Sequence, residues 1–203
     1  MSEGKVEFRR ARTGDIEAAI PLLYSSGPAV FDFIFKHAGH TSQDFLRYTL
    51  SDGAGELGYR NHVVGEMDGK VIAIGAAFGG ETTLPFFLSA ARQIASFYGT
   101  ACLPVVRHGL QVEGVIQPPR GRLHYIAHLG VDPALQSQGI GTKLVEHLIQ
   151  QGRAQGKTLT ALDVSVLNPR AQALYERLGF KLSSQHRSEI QEVPSHNRLE
   201  RTL

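Results

Sequence analysis

The chain has 203 residues, of which 42% are hydrophobic and 20% are charged, and this composition is typical of a globular protein with one full core. Its formal net charge of +2 gives no support to nucleic-acid binding, and no apolar run approaches the roughly 20 residues of a membrane-spanning helix. Cys102 is the only cysteine, which excludes an intrachain disulfide, and the first ten residues lack the apolar core of a secretory signal. We therefore expect a cytoplasmic protein with one domain over residues 1–203 and no membrane or nucleic-acid partner.

The first third of the chain reads as one strand followed by helices. Polar and apolar residues alternate over 6–8, which predicts a short strand, and the apolar residues of 16–23 recur at helical spacing. A Ser-Gly-Pro segment at 26–28 interrupts this helix, and helical spacing resumes over 45–50. An aromatic cluster lies between the two predicted helices, at Phe31, Phe33 and Phe35.

The middle of the chain begins with a predicted hairpin. Residues 62–66 and 71–74 read as antiparallel strands, because Asp68-Gly69 between them is typical of a tight turn. Residues 84–113 combine proline, glycine and aromatic residues with helical spacing, which predicts short helices.

The second half of the chain carries clearer signals. A strand over 123–131 is followed by a helix from Gly139 to about Gln155 and by a second strand over 159–166. This order of strand, helix and strand predicts that the two strands are parallel neighbours in one sheet.

A further helix is marked at both ends. Asn168-Pro169 supplies an N-cap and a first-turn proline, and Gly179 stands where a helix commonly ends. Residues 180–182 and 198–203 are candidates for the closing strands.

The segment 136–142, with the sequence QSQGIGT, lies where the predicted strand gives way to a helix. The first turn of a helix has unpaired N–H groups and a partial positive charge, and Gly139 and Gly141 let an anion approach the backbone. A dinucleotide fingerprint would need a third glycine where the chain has Leu144, and a phosphate loop of the P-loop type would need its glycine and lysine in another order. The segment therefore predicts a site for the diphosphate of some other cofactor.

Three motifs together carry a family resemblance. They are Gln136-x-x-Gly139-x-Gly141, Asn168-Pro169 and Tyr175-x-x-x-Gly179-Phe180. In this combination and order the chain resembles the GNAT superfamily of acetyl-CoA-dependent N-acetyltransferases, over roughly residues 62–182. The resemblance implies a mixed α/β fold, in which helices flank a twisted mixed sheet of six to seven strands with a parallel central pair. It leaves residues of about 80–120 as a helical insertion beyond the minimal core of the family.

The resemblance also implies acetyl-CoA as the cofactor. Main-chain amides of the glycine-containing loop would hold the pyrophosphate, and the preceding strand would hold the pantetheine arm as if it were an added strand. The amide of Leu129 or Gly130 would donate to the thioester oxygen as negative charge develops there. The residues implied in cofactor binding are Leu129, Gly130, Val131, Gln136, Gln138, Gly139, Ile140, Gly141, Thr142, Asn168, Ala171 and Tyr175.

Direct transfer to an amine requires a neutral nucleophile and a proton for the departing thiolate. The resemblance implies that Tyr175 is this acid, and the alternative is an ordinary buried aromatic residue. For the base, it implies a Glu or His on the strand before the loop, or a base that acts through water. The candidates are His128 on that strand and, as a further residue, Glu66; either is equally well an ordinary structural side chain. Strict alternation puts Tyr125 and Leu129 on one face of the strand and His128 on the other, unless a bulge reverses the phase.

The acceptor is expected to be a primary amine of a small molecule or a peptide. In the family the first helix with its following loop and the last two strands usually recognise it. A group of aromatic residues with one carboxylate suits a cation, although such phenylalanines are more often core residues. The candidates for substrate binding are Phe31, Asp32, Phe33 and Tyr125.

Three further questions stay open at the level of the sequence. His37 and His40 have no third ligand beside them, so we expect no metal site. A non-catalytic acyl-CoA-binding sensor or interaction module, acting through the 80–120 insertion, is the alternative to an enzyme. The identity of the amine is undetermined, and a homodimer is one of the oligomeric states that the sequence permits.

Overall fold

The computed structural model describes residues 5–203, so the first four residues of the predicted domain lie outside the described residues. Its strands are β1 (Glu7–Arg10), β2 (His62–Met67), β3 (Lys70–Gly79), β4 (His124–Val131), β5 (Leu159–Ser165), β6 (Lys181–His186) and β7 (His196–Thr202). They form one seven-stranded sheet in the order β1-β2-β3-β4-β5-β7-β6. All neighbours are antiparallel except β4 and β5, which are parallel. The predicted mixed α/β fold with a parallel central pair is confirmed.

Helices cover both faces of this sheet. They are α1 (Ile16–Ser25), α2 (Pro28–Phe35), α3 (Ser42–Asp52), α4 (Thr83–Tyr98), α5 (Cys102–Val112), α6 (Ile140–Ala154) and α7 (Pro169–Arg177). Helix α1 contacts β3 and β4 from one side, and α6 contacts the same two strands from the other. On α6 the side chains of Leu144 and Leu148 are fully buried, and each such burial contributes about 1.5–3 kcal/mol to stability. Within residues 5–203 no single helix is long and apolar enough to cross a membrane, and only the bent pair Thr13–Ser25 and Pro28–Phe35 together meets the length and composition test.

The ends of α6 and α7 follow the sequence signals. Helix α6 begins after Gly139, whose φ of +78° lies in the left-handed region that favours glycine. At α7 the Oδ1 atom of Asn168 accepts a hydrogen bond from the Ala171 amide at 3.0 Å, and Gly179 follows the helix with a φ of +85°. The predicted N-cap and terminating glycine of α7 are therefore confirmed.

Helices α4 and α5 occupy the segment between β3 and β4. They pack against α2 and α3, and the Tyr98 hydroxyl donates to the carbonyl of Phe35 at 2.5 Å. Helices α4 and α5 therefore extend the helical layer that α2 and α3 form. Several large apolar side chains of these two helices are exposed, namely Leu84, Phe87, Leu88, Leu103 and Leu110.

Two strands are longer than the sequence indicates. Strand β3 continues to Gly79, whereas alternation predicts an end at Ile74, because Gly75, Ala76 and Ala77 are too small to give an apolar signal. Strand β6 runs to His186 rather than ending at Leu182, because it is a largely exposed edge strand whose polar residues carry no hydrophobic pattern.

Candidate active site

The parallel strands β4 and β5 pair at only two positions. Their paired residues are His124 with Thr160 and Tyr125 with Ala161, near the start of both strands. Beyond these positions β4 remains paired with β3, and β5 remains paired with β7. The facing edges of β4 and β5 therefore have backbone N–H and C=O groups without a strand partner, which an extended ligand can satisfy.

A bulge in β4 lies at this gap. Ile74 pairs with Gly130 and Ala76 with Ala127, so Gly75 alone faces both His128 and Leu129. His128 has a φ of +58°, which is uncommon for a residue other than glycine. Such a backbone costs on the order of 1–3 kcal/mol and persists where the surrounding structure enforces it.

The bulge reverses the direction of the side chains that follow it. Leu129 joins the apolar cluster beneath α6, whereas His128 lines a cavity on the same side as Tyr125. Strict alternation of side chains, which would put Tyr125 and Leu129 on one face, therefore does not hold in β4. The extra residue of the bulge reverses which face the later side chains occupy.

One cavity, the cofactor groove, has a volume of about 460 Å³ and lies between the carboxyl end of β4, the 136–142 loop and α7. Its wall contains ten of the twelve residues that the sequence implicates in cofactor binding, namely Leu129, Val131, Gln136, Gly139, Ile140, Gly141, Thr142, Asn168, Ala171 and Tyr175. Gln138 is exposed and Gly130 is buried, and neither lines the groove. Gly130 faces α1 instead, where a Cβ atom would collide with the carbonyl of Leu22.

Two basic side chains in the groove were missed by the sequence analysis. They are Arg170 and Arg177, both on α7. Arg170 donates to the Ser137 Oγ at 2.6 Å and to the Gln136 Oε1 at 3.3 Å, which fixes its guanidinium against the glycine-containing loop. A cation in the first turn of a helix opposes the helix dipole unless an anion lies beside it. The position of Arg170 directly after Asn168-Pro169 was the available signal.

Tyr175 is buried on α7 and lines the same groove. Its ring packs edge-on against Phe180, with the ring centroids 6.2 Å apart. Burial raises the pKa of Tyr175 to about 12, so its hydroxyl stays protonated at neutral pH and is available as a proton donor.

A second cavity, the acceptor cavity, has a volume of about 520 Å³ and lies on the other side of β4. Two of the four predicted substrate-binding residues, Phe31 and Tyr125, line it. Asp32 and Phe33 do not line it: Asp32 accepts hydrogen bonds from the hydroxyls of Tyr24 and Ser42, and the Phe33 ring stacks on His108 at 4.3 Å. Adjacent residues of a helix point in different directions, so the carboxylate of Asp32 serves α3 rather than the cavity.

Two histidines form a hydrogen-bonded pair at the cavity. The Nδ1 atom of His62 lies 2.9 Å from the carbonyl of Gly58, which only accepts, so we assign the hydrogen of His62 to Nδ1. Burial and the neighbouring His128 lower the pKa of His62 to about 3, so His62 is neutral and its Nε2 is an acceptor. The Nδ1 atom of His128, 3.1 Å away, then donates to it.

This pairing fixes which nitrogen of His128 faces the cavity. With Nδ1 hydrogen-bonded to His62, the other ring nitrogen of His128, Nε2, lies 3.4 Å from the Glu56 Oε1. Neither His62 nor Glu56 was a candidate from the sequence, because they are more than 60 residues from His128 and the pairing depends on the fold.

Glu66 is not part of either cavity. Its Oε2 atom accepts from Arg9 at 2.5 Å, and Arg9 also binds Asp15 at 2.7 Å, beside the paired strands β1 and β2. The ion pair with Arg9 gives Glu66 a structural role. Glu66 lines neither the cavity of His128 nor the groove of Tyr175.

Tyr125 takes part in a buried polar network below the acceptor cavity. Its hydroxyl donates to Asp163 at 2.7 Å, and Arg198 donates to the same carboxylate at 2.7 Å and to the carbonyl of Gln117 at 2.7 Å. Burial and the charge of Asp163 raise the pKa of Tyr125 well above its usual value. The hydroxyl of Tyr125 is thus committed to the network, and its ring is the part that lines the cavity.

Three other histidines, at positions 37, 108 and 124, have structural contacts. The Nε2 atom of His124 lies 2.9 Å from the carbonyl of Leu148 on α6, on the side of β4 away from the acceptor cavity. His37 lies 3.0 Å from His108, and in the part of the chain that the structure describes no three His, Cys, Asp or Glu side chains are grouped to hold a metal ion.

Known proteins share the fold and part of the sequence of this chain. Residues 42–180 match the family model described as Acetyltransferase (GNAT) family, which is more than half of the chain. The chain belongs to the GNAT acetyltransferase family. The acyltransferase family expected from the three motifs is therefore confirmed.

The curated relatives share a limited segment with this chain. The [Ribosomal protein bS18]-alanine N-acetyltransferase of Escherichia coli (strain K12) is 45% identical over 53 residues, which is 26% of this chain and 36% of that protein. The N-acetyltransferase 8B of Homo sapiens is 41% identical over 58 residues, 29% of this chain and 26% of that protein. The chain thus aligns with about a third of the length of these relatives.

Solved structures resemble the whole fold. An N-acetyltransferase from Staphylococcus aureus Mu50 has a TM-score of 0.73 at 22% identity, with 96% of this chain and 100% of that chain covered. A polyamine N acetyltransferase of Drosophila melanogaster has a TM-score of 0.61 at 20% identity, with 98% and 100% covered. At this level of identity the similarity establishes the fold.

Proposed function

We propose that this protein transfers an acetyl group from acetyl-CoA to a primary amine by direct nucleophilic attack. One observation carries the proposal: adjacent residues of the β4 bulge line the two cavities, Leu129 the cofactor groove and His128 the acceptor cavity. A donor and an acceptor bound in the two cavities would therefore approach each other through the gap between β4 and β5. Bringing two reactants together in this way supplies much of the rate enhancement of an acyl transfer.

The cofactor groove has the donors that a diphosphate and a pantetheine arm require. Main-chain amides at the start of α6 and the guanidinium of Arg170 are suited to the diphosphate. The unpaired edge of β4 at Leu129 and Val131 is suited to the amide groups of the arm. Acetyl-CoA bound here would supply an activated thioester carbonyl, whose oxygen an amide near Leu129 or Gly130 would stabilise as charge develops.

Two residues on opposite sides of the gap between β4 and β5 would carry out the proton transfers. The Nε2 atom of His128 would accept the proton of the incoming ammonium, and Glu56 at 3.4 Å would stabilise the resulting imidazolium. The neutral amine then forms the new N–C bond as the C–S bond breaks, and Tyr175 would protonate the departing thiolate. The nitrogen would release its second proton to solvent as the amide forms, and solvent would restore the proton of Tyr175. His62 would act as a positioning residue, because its neutral Nε2 keeps the hydrogen of His128 on Nδ1.

The proposal is tested by measuring thiol release from acetyl-CoA with a panel of primary amines. Amine-dependent thiol release and the matching acetylated product in a mass spectrum are expected. Coenzyme A binding without any amine-dependent release would contradict an enzyme and would favour the non-catalytic acyl-CoA-binding module.

A further inference from the structure

The acceptor cavity has an unusually apolar interior for a site that handles an ammonium group. Its deep wall is formed by Phe31, Ile34 and Phe35 of α2, Phe45 of α3, and Ile94 of α4. Its volume of about 520 Å³ lies within the roughly 300–1,000 Å³ range of cavities that enclose most of a small organic ligand. A purely polar amine would leave this wall facing water, whereas a bulky apolar group would bury it.

The charged groups of the cavity are acidic. Glu56 and Glu113 line it together with His128, and the lining residues include no lysine or arginine. Burial and the charge of Glu56 raise the pKa of Glu113 above its usual value. Asp163 also lines the cavity, but Arg198 and Tyr125 already satisfy its charge. One ammonium therefore has carboxylate partners here, whereas a carboxylate on the acceptor would have no cationic partner.

The entrance to the cavity is apolar as well. Leu84 and Phe87 of α4 line the cavity and are 66% and 51% exposed, respectively. Both belong to the inserted helical segment, so the insertion supplies the rim as well as part of the inner wall. An acceptor with an apolar body would contact these side chains before its amine reaches His128.

We propose that the acceptor is a primary monoamine on a bulky aliphatic or aromatic body without a carboxylate, and that α4 and α5 select it. The inference rests on the proposed function and names the substrate class of that site. A second ammonium at the far end of an extended diamine would lie against the phenylalanine-lined wall, away from the two carboxylates, and an unpaired charge is strongly disfavoured there. Diamines and free amino acids are therefore excluded from the preferred class.

A matched set of amines tests this selection. Hexylamine, hexamethylenediamine and aminocaproate have the same chain length and differ only in the terminal group. We expect kcat/KM for hexylamine to exceed that of the other two by at least roughly tenfold, and to rise roughly fourfold per methylene from propylamine upward. Turnover that is fastest with the diamine or the amino acid would overturn the substrate class and leave the acetyltransferase proposal intact. Absence of thiol release with every amine would overturn both.

Substitutions at two neighbouring positions of α4 test whether the selection among amines arises in the acceptor cavity. Ala90 lines the cavity, whereas the adjacent Ala91 is exposed outside it. Ala90→Phe should lower kcat/KM for hexylamine about tenfold or more while changing that for ethylamine less than about threefold, and Ala91→Phe should change neither. The KM for acetyl-CoA and the thermal midpoint serve as controls for folding. Equal losses with both amines in a folded Ala90→Phe protein would contradict the assignment of the apolar body to this cavity.

Discussion

Replacing His62 with leucine tests the assigned proton on His128. In the native structure the His62 Nε2 atom accepts the Nδ1 hydrogen of His128 at 3.1 Å. A buried hydrogen bond of this kind contributes about 0.5–1.5 kcal/mol, so its loss would shift the equilibrium between the two His128 tautomers by roughly two- to thirteenfold. We expect His62→Leu to lower kcat with an amine acceptor by up to that factor and to leave the KM for acetyl-CoA unchanged, because His62 does not line the cofactor groove.

His62→Gln is the matched variant, since its amide oxygen can accept the same hydrogen bond. Steady-state thiol release, measured from pH 6 to 9 for both variants, should show kcat restored in the glutamine protein toward the wild-type value. Equal kcat values for the leucine and glutamine variants, in proteins with native thermal midpoints, would refute the positioning role and with it the assigned tautomer.

Three other outcomes are expected from the same structure. Tyr175→Phe should lower kcat by roughly a hundredfold or more with coenzyme A affinity nearly unchanged, and an unchanged kcat would remove Tyr175 as the acid. Because the native pKa of His62, about 3, lies below its unfolded value near 6.5, unfolded chains bind more protons between these pH values and stability falls as the pH is lowered through that window. The free energy of unfolding should therefore fall by up to roughly 1.4 kcal/mol per pH unit more steeply in the wild type than in His62→Gln, and parallel slopes would contradict the neutral assignment. Arg198→Met should destabilise the protein by about 3–5 kcal/mol in urea unfolding, because it leaves the buried carboxylate of Asp163 without its ionic partner, and a loss below 1 kcal/mol would show that the network is dispensable.

The order of helices and strands and the residues of the cofactor groove could be predicted from the sequence, because the sequence patterns that mark them are local. The N-cap Asn168, the terminating Gly179 and the left-handed Gly139 each act within a few residues of their own position. The groove then follows, because the parallel pairing of β4 and β5 puts the loop after β4 and the helix after β5 at the same edge of the sheet.

The residues of the acceptor cavity were harder to predict from the sequence, because the cavity depends on a bulge and on contacts between distant segments. One extra residue at His128 changes which face each later side chain of β4 occupies, and alternation alone gives no sign of it. Asp32 was an incorrect choice for the cavity because its partners, Tyr24 and Ser42, lie outside its own helix. The carboxylate that does approach His128 belongs to Glu56, in an irregular segment with no periodic signal.

Calorimetric titration of two glycine variants tests most directly whether the glycine-containing loop binds the diphosphate of acetyl-CoA. Gly139 and Gly156 lie at opposite ends of α6, with φ values of +78° and +68°, and neither has an atom near the position of an added Cβ. A glutamate therefore brings similar backbone strain at both sites, but only at position 139 does it put a negative charge beside the groove. Gly139→Glu should abolish coenzyme A binding while Gly156→Glu retains the wild-type dissociation constant. Wild-type affinity in Gly139→Glu would contradict the account.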